Sequence, residues 1–103
     1  MAQFDVYRNH GKGKDFYPYY IDIQNDLFNA LTSRVVIPMT DIKNISPIRG
    51  LHPVITLQGK PYVVVTDLMT SVLDKDLKQT PVANAVSIRN EIISALDLLI
   101  TGI

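Results

Sequence analysis

The hydrophobic period of this chain changes once, at Pro81, and that change limits the folds open to it. Before Pro81 the apolar residues come in short runs punctuated by Gly, Pro, Asn and Asp, the pattern of strands and turns. "QFDVY" sets Phe4 and Val6 on one face and Gln3, Asp5 and Tyr7 on the other. "YPYYIDIQ" sets Tyr19, Ile21 and Ile23 against Tyr20, Asp22 and Gln24. "RVVIPM" is continuously apolar and reads as a central strand closed by Pro38. "PVITL" and "PYVVVTD" flank "QGK", a three-residue hairpin loop centred on Gly59, and "MTSVL" is a further short strand. Between the first two strands lies "HGKGK", His10 to Lys14, a flexible basic loop.

After Pro81 the period becomes that of a helix. Ile88, Ile92, Ala95, Leu96, Leu99 and Ile103 fall within one sector of about 100°. Asn90, Ser94, Asp97 and Thr101 lie opposite, with Asp97 and Thr101 one turn apart. Asn84 or Ser87 is placed to cap the helix start, and Gly102 to stop it. Five to seven strands followed by one packed helix make a mainly β fold: a small antiparallel, barrel-like sheet with a C-terminal helix, in one domain over residues 1–103.

Composition removes several function classes. Without cysteine there is no disulfide and no thiolate zinc site. Ten cationic side chains balance ten anionic ones, which argues against a protein that holds nucleic acid by charge. No apolar run approaches the roughly 18–20 residues of a membrane span, and the first ten residues contain no apolar signal segment, so a cytoplasmic location is expected. An apolar share of 47% at zero net charge suits a chain that buries surface in a dimer or complex, and equally an ordinary compact domain.

Catalytic motifs are missing. A phosphate loop over "HGKGK" would need glycine where Arg8 stands and Ser or Thr where Asp15 stands. His10 and His52 have no ligand partners at metal spacing, and no metal or cofactor is expected; general-base chemistry stays open for both. Ser71 and Ser87 lie in no nucleophile motif, and "DKD" at Asp74 to Asp76 reads as an exposed turn.

The helix end breaks a local rule. A helix C-terminus carries about half a negative charge, and a cation there stabilises by roughly 0.3–1 kcal/mol. Residues 96–103, "LDLLITGI", offer only Asp97. Asp97 and Thr101 are then either a solvated face or part of a partner surface, and such breaches concentrate at functional sites.

Several stretches, in order and over nearly the whole chain, resemble the CcdB toxins of toxin–antitoxin modules. They are "QFDVYRN", "YIDIQNDL", "RVVIPM", "HPVITLQG", "MTSV" and the ending "RNEIISALDLLITGI". The resemblance implies a small SH3-like antiparallel barrel with a C-terminal helix, forming a homodimer, without enzymatic activity. It implies a topoisomerase poison that wedges into the gyrase A subunit and traps the DNA-cleaved complex. It also implies a CcdA-like antitoxin that neutralises the toxin, the pair repressing their own operon through the antitoxin's DNA contacts, as in plasmid maintenance. The implied gyrase surface falls on Leu27, Phe28, Asp97, Ile100, Thr101, Gly102 and Ile103. Plasmid members of the family have asparagine at the position of Asp97 and, at that of Thr101, a tryptophan that stacks on a gyrase arginine. Here either binding is weaker, or Asp97 pairing with an arginine, and Leu27 and Phe28 burying area, compensate. An acidic, apolar antitoxin segment is expected to dock on the cations Arg8, Lys12 and Lys14. Two rivals remain: an endoribonuclease toxin of the Kid/MazF type, with His10, Arg8 and Arg34 as its groups, and an inactive toxin-like protein that only binds antitoxin.

Overall fold

The computed structural model describes residues 1–77 and 79–102. Among them are seven strands: β1 (Asp5–Arg8), β2 (Tyr19–Asp22), β3 (Ser33–Asp41), β4 (Val54–Leu57), β5 (Lys60–Val64), β6 (Thr70–Leu73) and β7 (Ala83–Asn84). One helix, α1 (Arg89–Thr101), follows them. All strand pairs are antiparallel, in the order β4-β5-β3-β2-β1-β7, with β6 also on β3. The result is a nearly closed antiparallel barrel with one C-terminal helix, the fold class expected.

Strand β3 organises the sheet. Along one edge it pairs with β2, Val36 to Met39 facing Asp22 to Tyr19. Along the other edge it changes partners: Ser33–Val36 pair with β6 and Met39–Asp41 with β5. Pro38 therefore does not close the strand. It sits where β3 passes from one partner to the next, and there a missing N–H breaks no ladder bond. Its carbonyl accepts from Val65 N–H at 3.0 Å, in the turn that carries the chain from β5 to β6.

Three other boundaries differ from expectation for local reasons. β1 begins at Asp5 because Phe4 has φ +70°, a left-handed conformation that is costly for a bulky residue. Phe4 N–H donates to Asp22 O and Phe4 O accepts from Ala85 N–H, so the bend joins the end of β2 to the segment after β7. The β4–β5 loop is two residues, not three: Leu57 pairs with Lys60, and Gln58 (φ +53°) and Gly59 (φ +79°) make a primed turn. The helix starts later than its periodicity suggested. A single 3₁₀ turn, Val86–Ile88, precedes it, and neither Asn84 nor Ser87 caps it: the N-cap is Ile88, and the Asn84 side chain accepts from Val86 N–H instead.

The sheet buries both its faces. On one lie Phe4, Val6, Ile21, Ile37, Met39, Ile55, Tyr62 and Val64, covered by Ile92 of α1. Ala95 is also fully buried, and Ile88, Ile93 and Leu96 pack at the rim. Leu99, expected in this stripe, is partly exposed, and Ile103 lies outside the described residues. On the other face Tyr7, Val36 and Leu77 form a second cluster with Tyr20 and Val72. No helix is long and apolar enough to cross a membrane among the described residues.

Beside that second cluster is a buried ion pair. Arg34 (1% exposed) donates from Nε and Nη2 to Asp22 Oδ2 (0% exposed) at 3.0 and 2.6 Å. Burial pushes the Asp22 carboxyl above its ordinary value, while the hydrogen bonds from Arg34 and from Gln24 N–H pull against it. Removing one partner of a buried pair leaves an uncompensated charge, which costs about 3–5 kcal/mol. Arg34→Met should therefore lower the free energy of unfolding in urea by that amount, and Asp22→Asn with Arg34→Met together by much less.

Candidate functional site

The expected partner residues form two patches with different mounts. Leu27 and Phe28 lie in a 3₁₀ turn, Asp26–Phe28, between β2 and β3. Leu27 is 85% exposed and Phe28 is 53% exposed, although both are large apolar side chains. Side-chain hydrogen bonds hold the turn. Asn25 Oδ1 accepts from Leu27 N–H at 2.9 Å, closing the start of the turn. Asp26 Oδ1 accepts from Gln3 N–H at 2.9 Å. Gln24 Nε2 donates to Phe28 O at 2.9 Å, Gln24 Oε1 accepts from Val35 N–H at 3.1 Å, and Asn29 Oδ1 accepts from Arg34 Nη1. The stretch "DIQND" is thus a bracket for the exposed pair: Asp22 holds the arginine, Gln24 ties turn to strand, and Asn25 and Asp26 fasten its start.

The second patch is the end of α1. Asp97, Ile100, Thr101 and Gly102 are all exposed, Ile100 at 71%. The helix stops as expected, with Gly102 at φ +76° and its N–H on Leu98 O at 3.0 Å. No cation occupies the last turn. Thr101 Oγ1 donates to Asp97 O at 2.6 Å, so its hydroxyl proton is used within the helix while its oxygen can still accept. The Asp97 carboxylate has no ion-pair partner among the described residues. The helix is seated by Ile92 and Ala95, and Leu98 approaches Gly50 of the loop before β4.

The basic loop is internally bonded. Asn9 donates from Nδ2 to Tyr17 O and accepts at Oδ1 from Gly11 N–H, both at 2.8 Å, and Tyr17 N–H donates to Gly13 O. Lys12 and Lys14 are exposed on it. Arg8, at the end of β1, lies over the Tyr19 ring at 5.7 Å from its centroid.

The groups weighed for catalysis do not converge. Arg8 and His10 border one pocket of about 320 Å³ with Tyr20, Val72 and Asp76, and His10 Nε2 lies 3.2 Å from Gln79 Oε1. Arg34 is committed to Asp22 and borders a different pocket, with Met1, Asn29 and Asp74. His52 is buried with both ring nitrogens engaged: Nδ1 accepts from Ile48 N–H at 3.0 Å, which leaves Nε2–H to donate to Asp67 Oδ1 at 2.7 Å. That tautomer follows from its partners and leaves no free lone pair for a general base.

Sequence reasoning missed the Asp22–Arg34 pair and the role of Gln24. The one available signal was the polar side of the "YIDIQ" alternation, since two polar residues in a row on one sheet face need partners if that face is buried.

Comparison with known proteins places these stretches together. No curated relative matches the chain. The family model described as CcdB protein matches residues 3–102, which takes in the bracketed turn, the basic loop and the helix end. The chain belongs to the CcdB family, the toxins of toxin–antitoxin modules.

Proposed function

We propose that this protein is a gyrase poison. As a homodimer it binds the gyrase A subunit and traps the DNA-cleaved complex, with no catalytic step and no cofactor of its own. A CcdA-like antitoxin neutralises it in the cytoplasm, and the two together repress their operon, the antitoxin contacting DNA. Residues 1–103 act as one domain.

The observation that carries this reading is the exposure of large apolar side chains on rigid mounts. Leu27 at 85% and Ile100 at 71% stand on a bracketed turn and on a capped helix end. Scattered exposed leucines are ordinary, but clustered ones on pre-ordered backbone lose little entropy on docking. The gyrase surface is then Leu27, Phe28, Asp97, Ile100, Thr101 and Gly102, together with Ile103. Asp97 supplies a gyrase cation with a carboxylate that has no ion-pair partner among the described residues, which also accounts for a helix end without a cation of its own. What stops first in cells producing the protein separates this reading from the nuclease one: DNA breakage and an SOS response support it, whereas prompt loss of translation with cleaved mRNA overturns it.

Calorimetry against a gyrase A fragment tests the surface. Leu27→Ala should weaken binding by about 2 kcal/mol or more, as truncation of an interface anchor does. Asp97→Ala should cost more than about 1 kcal/mol. Both are exposed, so the stability of each variant should stay within about 0.5 kcal/mol of the parent.

The antitoxin is proposed to approach the loop bearing Arg8, Lys12 and Lys14. Rim charges govern association rate and its salt dependence. Lys12→Glu with Lys14→Glu should slow association with an acidic antitoxin peptide and flatten its dependence on ionic strength in stopped-flow traces; unchanged rates would remove the loop from that site.

A further inference from the structure

We infer that Gln24 is the positioning residue of the Leu27–Phe28 anchor: its side-chain amide is a two-way clip that sets the turn against β3. It makes no partner contact itself, being 8% exposed. Its oxygen accepts from Val35 N–H and its nitrogen donates to Phe28 O, 3.1 and 2.9 Å away. Both contacts are satisfied in only one orientation of the amide. Flipping it would face N–H with NH₂ and carbonyl with carbonyl, so the clip is directional.

Its own mount is also fixed. Gln24 N–H donates to Asp22 Oδ1 at 3.0 Å, and Asp22 is held by Arg34, whose Nη1 reaches Asn29 just beyond the turn. The buried pair and the clip therefore grip the turn on both sides of Phe28. The charged half cannot be broken without leaving a buried charge uncompensated, and the neutral half, Gln24, supplies the position of the anchor. Without the Gln24 donor, Phe28 O loses its side-chain partner, while the bonds from Phe28 N–H to Asn25 O and from Asn29 N–H to Asp26 O keep the turn formed but free to shift. Loss of the clip should thus act on binding by two anchors at once without touching either.

The consequence for binding rests on the gyrase reading; the clip itself does not. Gln24→Glu separates its two halves. At neutral pH the introduced carboxylate still accepts from Val35 N–H but has no proton for Phe28 O. The amide signals of Leu27, Phe28 and Asn29 should move, their hydrogen exchange should quicken at least tenfold, and binding to a gyrase A fragment should weaken at least tenfold. As pH falls through the titration of that carboxyl, the donor returns, and the turn signals should come back to those of the parent at the same pH. Gln24→Leu, which neither donates nor accepts, should show the loosened turn at every pH. A purely structural role would give no such recovery. Turn signals in Gln24→Glu that match the parent at neutral pH, or a displacement that acid does not reverse, would overturn the inference. Should the variant not fold, the parent decides it: scalar coupling across the hydrogen bond from Gln24 Nε2 to the Phe28 carbonyl carbon is expected, and its absence overturns the clip. A parent that does not bind the fragment sinks the gyrase reading and leaves the NMR result standing.

Discussion

The charged pair Asp22–Arg34 is the constraint on which the rest of this fold depends. Two full charges are withdrawn from water on adjacent strands, at a desolvation cost of several kcal/mol per ion. Part of that cost is offset because further hydrogen bonds engage both groups. Asp22 Oδ1 accepts from Gln24 N–H, and Arg34 Nη1 donates to Asn29 Oδ1. Each of these bonds pulls in the segment between β2 and β3, so the segment cannot rearrange without exposing a buried charge. Burial makes the pair expensive, and the same burial makes the turn beside it rigid.

The two sheet faces divide the work. The face under α1 is almost wholly apolar, and nonspecific burial at about 25 cal/mol per Å² suffices to hold it. The opposite face mixes Tyr7, Tyr20, Val36 and Leu77 with the ion pair. Tyr7 registers that environment: burial, then the carboxylates of Asp5 and Asp22, push its phenol up to about 12, and it stays neutral throughout the physiological range. Apolar packing tolerates small slips, whereas directional polar bonds do not. The polar face is accordingly the one that fixes where the neighbouring turn projects its side chains.

What the sequence made legible follows the same division. The two-residue period of "QFDVY" and "YYIDI", the helical period after Pro81, the Gly59 hairpin and the Gly102 stop are local signals, and each appears in the structure. Pro38 misled because its local meaning is a strand end; its tolerance depends on β3 exchanging β6 for β5 at that residue, which only tertiary pairing decides. The early bend at Phe4 was hidden for a similar reason, since a left-handed phenylalanine is imposed by bonds to Asp22 and Ala85 from distant parts of the chain. Asp22 and Arg34 are twelve residues apart with no periodic relation, and nothing local joins them. Leu27 and Phe28 were singled out through family resemblance; their exposure and the bracket beneath them came only with the structure.

A small protein that must present apolar side chains to a partner faces a conflict. The force that folds it would also bury those side chains against its own core. In this chain exposed apolar side chains are kept off the core in two ways. At the turn, polar side chains fix the backbone, so the apolar groups are not needed for folding and are left outside. At the helix end, Ala95 and Ile92 seat the helix about one and two turns before Ile100, Gly102 halts it, and Ile100 extends past the core. Neither device relies on the Leu27 or Ile100 side chain to hold the backbone in place. On the proposed gyrase reading, substitutions at Leu27 or Ile100 alter what the surface binds without a proportionate loss of fold, because the scaffold beneath does not depend on those side chains.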